Sequence, residues 1–154
     1  MIIGIGSDLI DIRRVAEVIE RHGDRFLNRI FTEAERAKAE RRTERIRAAT
    51  YAKRFAAKEA VGKALMTPGD LPWQGVEVTS GVHGEPVLAI SGKVAERAEA
   101  LGADRLHISL SHDGGIATAI VVAPRSCVPG WISTSGATNR AMARIRTQRW
   151  GSSS

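Results

Sequence analysis

The segment from Arg54 to Leu65, which reads RFAAKEAVGKAL, has the composition of a helix. Alanine, leucine, lysine and glutamate are good helix formers, and the Pro-Gly pair at residues 68–69 supplies a stop just beyond it. On a helical projection Glu59 lies on the same apolar face as Phe55, where an ionised carboxylate is costly to bury unless a cation or hydrogen-bond donors compensate it. We therefore predict a central helix over residues 48–65 that carries one compensated carboxylate.

Glu59 has two interpretations. Lys63 follows it at i+4, a spacing at which glutamate and lysine commonly pair on exposed helix faces, so the two could form an ordinary surface ion pair. The other interpretation makes Glu59 part of a functional site. The opposite side of the helix carries Ala56, Ala60 and Ala64, three small residues against which another backbone could pack closely.

The first ten residues, MIIGIGSDLI, form a second distinctive segment. Ile2 to Ile5 are typical of a buried strand, and the interspersed glycines allow close backbone approach. The Gly-x-Gly is not a dinucleotide-binding fingerprint, because Leu9 stands where the third glycine is needed. Asp8 lies at the far end of this apolar run, where it is either a helix cap or a functional carboxylate, and Asp11 is at least as well placed to be the cap.

The remaining patterns predict alternating helices and strands. Asp11 can cap a helix that ends near Gly23, and Thr32 with Glu35 forms a capping box that opens another helix. The alternating charges from residue 33 to residue 47 are typical of a solvated face. Later elements are predicted as strands at 76–78 and 87–90, a helix from Ser91 to Gly102, and a hairpin of strands 106–110 and 116–122. The fold class is therefore α+β, with helices packed on one face of a small antiparallel sheet.

Length and composition exclude several classes of protein. A chain of 154 residues suits one domain, and no apolar run approaches the ~20 residues that a membrane-spanning helix needs. The first residues lack the basic flank of a secretory signal, and Cys127 is the single cysteine. We therefore expect a cytoplasmic protein without an internal disulfide.

The positive charge is concentrated in the C-terminal part. The net charge is +6, but residues 124–154 contain five arginines and no acidic residue, which leaves +1 for residues 1–123. Ser, Thr and Gly dominate this tail, as is typical of a mobile extension. We predict a folded domain over residues 1–123, a basic and mobile extension over residues 124–154, and no nucleic-acid partner. A binding module that engages nucleic acid through the arginine-rich tail is the competing hypothesis.

Four motifs occur in a specific order: Gly4-Ile5-Gly6-x-Asp8, Phe31-Thr32-x-x-Glu35, RFAAKEAxxKA from Arg54, and Ile108-Ser109-Leu110-Ser111-His112. Together they resemble holo-acyl-carrier-protein synthase, the short bacterial type of 4′-phosphopantetheinyl transferase, over residues 1 to about 123. The resemblance implies a single-lobe fold and a Mg²⁺-dependent enzyme. Such an enzyme transfers 4′-phosphopantetheine from coenzyme A to a serine of an apo acyl carrier protein, in fatty acid or polyketide biosynthesis, and releases adenosine 3′,5′-bisphosphate.

The resemblance assigns catalytic and metal-binding roles to three residues. Asp8 and Glu59 match the family's metal ligands, and Mg²⁺ suits them because it binds a few carboxylates together with phosphate oxygens and waters. Lys63 would contact the pyrophosphate as a point charge. The proton of the carrier serine would go to Glu59 or to a metal-bound water, and both acceptors stay open.

Further positions match contacts to the two substrates. Arg54 and His112 match positions that contact the 3′-phosphoadenosine part of coenzyme A, although His112 also suits a simple turn before Asp113. Lys58 matches as well, with either a phosphate-binding or a structural role. Arg14 matches an arginine that docks the carrier protein, and Arg13 beside it is expected to be solvated.

Two positions depart from the family pattern. Glu85 stands where relatives usually carry a lysine in a Gly-Lys-Pro hairpin, and Met66 stands where they commonly continue into a glycine and a Gly-rich loop. Weaker local contacts with coenzyme A are expected at both positions. Neither departure affects the predicted metal ligands. The competing enzyme hypothesis is some other Mg²⁺-dependent phosphate chemistry that uses Asp8 and Glu59 on a similar scaffold.

The resemblance also implies a homotrimer. The chain is about half as long as the two-lobed transferases, whose single site lies between their lobes, so a one-lobe chain must form that cleft between subunits. The face of Ala56, Ala60 and Ala64 and the apolar hairpins are the candidate packing surfaces.

Overall fold

The computed structural model describes residues 1–67 and 69–125, without the side chain of Arg45. Its elements in chain order are β1 (Ile2–Asp11), α1 (Ile12–Ile30), α2 (Glu33–Glu40), α3 (Glu44–Ala64), a 3₁₀ turn (Trp73–Gly75), β2 (Val76–Ser80), β3 (Pro86–Ile90), α4 (Gly92–Leu101), β4 (His107–Asp113) and β5 (Ile116–Pro124). Within these residues no helix combines the length and the apolarity that crossing a membrane requires.

The α+β prediction is confirmed, and the strands divide into two antiparallel sheets. β5 lies between β1 and β4 in a three-stranded sheet, and β2 pairs with β3 in a separate hairpin. Alternate residues of β5 are fully buried, among them Ala119 and Val121, because they face α3, whereas Ile120 between them is exposed. Helix α3 thus forms the centre of the core, with β5, the β2–β3 hairpin and α4 contributing to one apolar cluster.

Strand β1 lies directly on the backbone of α3. A Cβ atom added at Gly4 would come within 2.0 Å of the Ala64 carbonyl oxygen, and one added at Gly6 would come within 1.9 Å of that of Ala60. Only glycine permits this approach. The predicted close packing against the alanines is therefore confirmed. Of the two candidate packing surfaces between subunits, the alanine face is excluded, because Ala56, Ala60 and Ala64 are buried inside the subunit.

The helix caps follow the sequence closely. Asp11 caps α1 by accepting a 2.8 Å hydrogen bond from the Arg13 backbone N–H. The capping box also forms, since the Glu35 N–H donates to Thr32 Oγ1 at 3.3 Å and the Thr32 N–H donates to the Glu35 carboxylate at 3.0 Å. These caps depend on residues at most three positions apart, which is why the sequence predicts them.

The predicted break at Gly23 is observed, because this residue is non-helical (φ 50°, ψ −136°) and interrupts α1 with a kink. A second helical segment follows it and carries the buried residues Leu27 and Ile30. Another boundary differs from its prediction. Helix α3 begins at Glu44, four residues before the predicted start at 48. Strand β5 ends at Pro124, next to the predicted domain boundary after residue 123, and the Arg125 N–H donates to the Met1 carbonyl at 2.7 Å. The predictions on the tail from residue 126 onward lie outside the described residues.

Candidate active site

Asp8 and Lys63 form the first contact of the site. The Lys63 ammonium lies 2.9 Å from Asp8 Oδ1 and also donates a 2.9 Å hydrogen bond to the Ser7 carbonyl. The glycines of β1 make this contact possible, because they bring the strand onto the last turns of α3. Lys63 therefore pairs with Asp8 and not with Glu59, so the simple surface pair within the helix does not form.

Glu59 lies one turn before Lys63 and faces the same region. Its carboxylate is partly buried and forms no hydrogen bond or ion pair with any residue that the structure describes. Burial raises the pKa of Glu59, the negative charge of Asp8 raises it further, and the Lys63 cation lowers it in part. The packing of β1 on α3 thus brings Asp8, from the first motif, to Glu59 and Lys63, which belong to the third.

The pair of carboxylates fits a Mg²⁺ ion. The one cation beside the two carboxylates, Lys63, is paired with Asp8, and Glu59 has no donor among the described residues, so the negative charge is incompletely compensated. Among the described residues no third His, Cys, Asp or Glu joins a cluster that could hold a metal ion. That composition suits Mg²⁺, which keeps waters and substrate oxygens beside one or two carboxylates, better than a metal that needs a complete protein cage.

Lys58 is fully engaged inside the protein. Its ammonium lies 2.9 Å from the Glu35 carboxylate, and the side chains of Lys58 and Glu35 are 1% and 0% exposed. It also donates to the carbonyls of Trp73, at 2.9 Å, and Val76. Burial lowers the pKa of Lys58, and the charge of Glu35 opposes that shift. These contacts join α3 to α2 and β2, so they support the structural role of Lys58 over the phosphate-binding one.

Glu35 is the buried exception among the charged side chains described over residues 33–47, where a solvated face was expected and most of them are exposed. Besides its contacts with Thr32 and Lys58, its carboxylate accepts a 2.9 Å hydrogen bond from the Val78 N–H. Every one of these partners except Thr32 is distant in sequence. The capping box signalled Glu35 in the sequence, but its role as the counter-ion of Lys58 was missed.

A small cleft opens beside Glu59. Its lining includes Glu59, Gly62, Thr67, Leu71 and Trp73. The hydroxyl oxygen of Thr67 is buried there without a hydrogen-bond partner among the described residues. A buried hydroxyl usually has a partner, so this group is suited to meet a polar atom of a ligand. The sequence analysis did not identify Thr67, and its only signal was its place in the loop that follows the central helix.

A sequence model of the 4′-phosphopantetheinyl transferase superfamily matches residues 4–121. The chain belongs to this family. It is 59% identical over 130 residues to a holo-[acyl-carrier-protein] synthase of Bradyrhizobium sp. (strain BTAi1 / ATCC BAA-1182), which covers 79% of this chain and 94% of the relative. It is 51% identical over 126 residues to one of Paramagnetospirillum magneticum, with 79% and 95% covered.

Solved structures of the same family are similar to this transferase. The holo-[acyl-carrier-protein] synthase from Neisseria meningitidis has a TM-score of 0.74 at 29% identity and covers 81% of this chain and 100% of its own. The synthase from Bacillus anthracis, in complex with CoA (3′,5′-ADP), has a TM-score of 0.68 at 33% identity, with 82% and 99% covered. The predicted family and the single-lobe fold are therefore confirmed.

The residues predicted to contact coenzyme A are dispersed in this transferase subunit. Arg54 is 6% exposed, and of its donors Nη1 bonds the Thr50 carbonyl at 3.1 Å while Nε has no partner among the described residues. His112 is exposed on β4, which lies two strands away from β1. His112 pairs with Ala117 and Asp8 with Ala119, so strand spacing places their backbones roughly 12 Å apart.

Arg13 and Arg14, at the start of α1, differ in their contacts. Arg13 is tied to Asp11 by an ion pair of 2.9 Å. Arg14 is exposed and forms no ion pair or hydrogen bond with the residues that the structure describes. Since α1 begins directly after β1, this free cation lies close in the chain to Asp8.

The two departures from the family pattern have local explanations. Glu85 accepts a 2.9 Å hydrogen bond from the His83 N–H and so closes the tip of the β2–β3 hairpin. Met66 is 58% exposed at φ 57°, because α3 ends at Ala64. Both residues thus shape loops of the transferase and leave Asp8 and Glu59 untouched.

Proposed function

We propose that this chain transfers 4′-phosphopantetheine from coenzyme A to a serine of an apo acyl carrier protein. The serine oxygen forms a bond to the phosphorus that carries pantetheine, the pyrophosphate bridge breaks, and adenosine 3′,5′-bisphosphate leaves. The observation that carries the proposal is the convergence of Asp8, Glu59 and Lys63 in a chain of the transferase family. The names of the curated relatives and the coenzyme A complex of the Bacillus anthracis synthase support it.

In this proposal Asp8 and Glu59 hold Mg²⁺, which neutralises the charge of the pyrophosphate when it is bound. Lys63 adds a second positive charge at the same place, since its ammonium already lies at Asp8. Positioned charges of this kind lower the barrier because phosphoryl transfer spreads negative charge over the transferred group. The proton of the serine goes to Glu59 or to a metal-bound water, and burial together with the charge of Asp8 raises the pKa of Glu59 in the metal-free chain.

We also propose that the transferase is a homotrimer. The outer face of the three-stranded sheet exposes Ile5, Leu9 and Ile120, which are 62%, 68% and 48% accessible in the isolated subunit. Such a row of large apolar side chains is typical of a protein–protein contact. A neighbouring subunit on this face would cover these side chains and form the cleft between subunits that the family resemblance implies.

The homotrimer has a simple test. Leu9→Asp places a charge in the proposed contact and should give a monomer in light scattering coupled to size exclusion. Val82→Asp is the matched control, because Val82 is 93% exposed in the separate β2–β3 hairpin and should leave the mass unchanged. A monomeric mass for the active wild-type chain would contradict the proposal.

The proposal also includes a docking role for Arg14 and a cytoplasmic location for the protein. Arg14 docks the acidic carrier protein, and its exposure and lack of an acidic partner support this role. The single Cys127 supports a reducing, cytoplasmic location.

The decisive experiment is a mass measurement of an apo carrier protein after incubation with the chain, coenzyme A and Mg²⁺. The expected gain is one phosphopantetheine group per carrier. The near-isosteric variants Asp8→Asn and Glu59→Gln should lower the rate at least ~100-fold while circular dichroism stays unchanged, because each removes a charge from the metal site. Calorimetry should also show weaker Mg²⁺ binding. Near-wild-type turnover in either variant would remove the assignment.

A further inference from the structure

A groove lies between α1 and the start of α3. Its floor is apolar and is formed by Ala16, Ile19 and Leu27 of α1 and by Ala48 of α3. Gly23 also lines the groove, and a Cβ atom added there would meet no atom within 4 Å, so the kink of α1 faces open space. The groove has a volume of about 490 Å³, whereas one water molecule takes ~30 Å³. It therefore has room for a peptide segment.

The rim of the groove is acidic. Glu20 and Asp24 of α1 and Glu44 of α3 are exposed, and their carboxylates form no ion pair or hydrogen bond with the residues that the structure describes. Arg47 also lines the groove, but its guanidinium is bound to the Glu40 carboxylate at 2.9 Å. The groove thus presents three carboxylates without a paired cation around an apolar floor.

The charge of the rim selects the kind of occupant. An acidic partner, such as the carrier protein of the proposed function, is repelled by the three carboxylates. A basic segment that also carries apolar side chains fits both the rim and the floor. Arginine suits the rim in particular, because its guanidinium binds a carboxylate through two parallel hydrogen bonds.

The chain itself contains such a segment, beyond the described residues. Residues 126–154 include four arginines and no acidic residue, and all four arginines fall between residues 140 and 149. Met142, Ile145 and Trp150 occur in the same stretch. Arginine and tryptophan are enriched among the residues that carry most of the binding energy at protein interfaces. The composition of residues 140–150 is thus complementary to the groove.

We propose that residues 140–150 bind in the groove between α1 and α3 of the same chain, with their arginines at the acidic rim and their apolar side chains on the floor. This inference does not depend on the transfer reaction. The predicted mobile extension then applies to residues 126–139, which link the folded domain to the bound segment.

The link is long enough for this contact. Strand β5 ends beside the first residues of β1, and Gly4 of β1 lies on Ala64 at the end of α3. Ala48, on the floor of the groove, precedes Ala64 by 16 positions, which is ~24 Å along the helix axis. Residues 126–139 span up to ~46 Å when extended. They therefore exceed this axial distance about twofold, which leaves length for a path over the surface of the domain.

The test is limited proteolysis of the full-length chain with trypsin, which cleaves after arginine, followed by mass spectrometry. Relative to a free peptide of the same sequence, cleavage between residues 140 and 149 should be slow at low salt and faster at ~1 M salt, where the Debye length is about 3 Å. The variant Glu20→Lys/Asp24→Lys should be cleaved there about tenfold faster than wild type, because it replaces attraction at the rim with repulsion. Glu96→Lys/Glu99→Lys is the matched control, since both residues are exposed on α4, and should leave the rate unchanged.

Hydrogen exchange supplies a second measurement that leaves the described residues unchanged. In a full-length variant whose four arginines between residues 140 and 149 are glutamine, the amides of α1 and of the start of α3 should exchange faster than in wild type, and those of the β2–β3 hairpin should not change. Unchanged exchange in this variant would overturn the proposal.

The proteolysis has two further outcomes that reject the proposal. Equal cleavage of wild type and the Glu20→Lys/Asp24→Lys variant would mean that the segment does not bind at this rim. Protection that rises with protein concentration would mean that the groove takes the segment of another molecule, which would reject binding within one chain.

Discussion

Replacing Met66 with glycine should stabilise the folded chain. Met66 follows the end of α3 in the left-handed conformation, at φ 57°. Its N–H donates to the Lys63 carbonyl at 3.1 Å, and the Thr67 N–H donates to the Gly62 carbonyl at 2.9 Å. This pair of bonds is the Schellman motif, whose left-handed position is usually glycine because a Cβ atom is strained there.

The magnitude follows from three contributions. The left-handed conformation costs a non-glycine residue roughly 1–2 kcal/mol, which glycine avoids. Glycine also adds conformational freedom to the unfolded chain, which lowers the free energy of unfolding by about 0.4–1 kcal/mol. The lost packing is small because the side chain is 58% exposed. The net expectation is a gain of about 0.5–1 kcal/mol, or a rise of about 1–4 °C in Tm for a chain of this size.

The assay is thermal and urea denaturation of wild type, Met66→Gly and Met66→Ala. All three must be measured at the same protein concentration, because the midpoint of an oligomer depends on it. Met66→Ala is the matched control, since it removes the same side chain but keeps the Cβ atom, and it should not stabilise. If Met66→Gly were no more stable than Met66→Ala, the strain argument would be refuted.

The reverse substitution can be made at the end of α4, where a glycine already occupies the left-handed position. Gly102 has φ 72° and forms the same pair of bonds, from its N–H to the Glu99 carbonyl and from the Ala103 N–H to the Ala98 carbonyl, both at 2.8 Å. Gly102→Ala should therefore destabilise by about 1 kcal/mol. The added Cβ would also lie 2.6 Å from Arg125 Nε, the end of a flexible side chain that can move away.

Three further predictions concern other regions. Glu35→Gln should destabilise the chain by about 3–5 kcal/mol in urea, because it leaves the Lys58 cation buried without a counter-ion; adding Lys58→Met should recover part of the loss, and no recovery would argue against the charge effect. Arg14→Glu should raise KM for the carrier protein and weaken the dependence of that KM on salt, while KM for coenzyme A stays unchanged. Arg13→Glu should raise KM for the carrier protein less, because Arg13 is paired with Asp11. Weaker coenzyme A binding in the Arg14 variant would contradict the role of Arg14 in docking the carrier protein. Deleting residues 126–154 should leave the catalytic rate roughly unchanged, and a large loss in a truncation that still folds would assign the tail a role in the site.

Several features were readable from the sequence because their signals are local. The helix around Glu59, the Thr32–Glu35 capping box and the Asp11 cap depend on residues within one turn of each other. The glycines of β1 also indicated a close backbone contact, and Asp8 was identifiable as a carboxylate in an apolar segment. The choice of Asp8, Glu59 and Lys63 as site residues came from these patterns together with the family resemblance.

The partners of those residues were decided by tertiary packing. Lys63 lies one turn from Glu59, yet it binds Asp8, because β1 crosses α3 with its glycines against the helix backbone. The same packing buries the alanine face that seemed free for another subunit. The sequence pattern predicts a solvated Glu35, but the packing of α2 against α3 buries it in an ion pair with Lys58. Which charge meets which depends on contacts between residues tens of positions apart, and local patterns in a sequence carry no record of those distances.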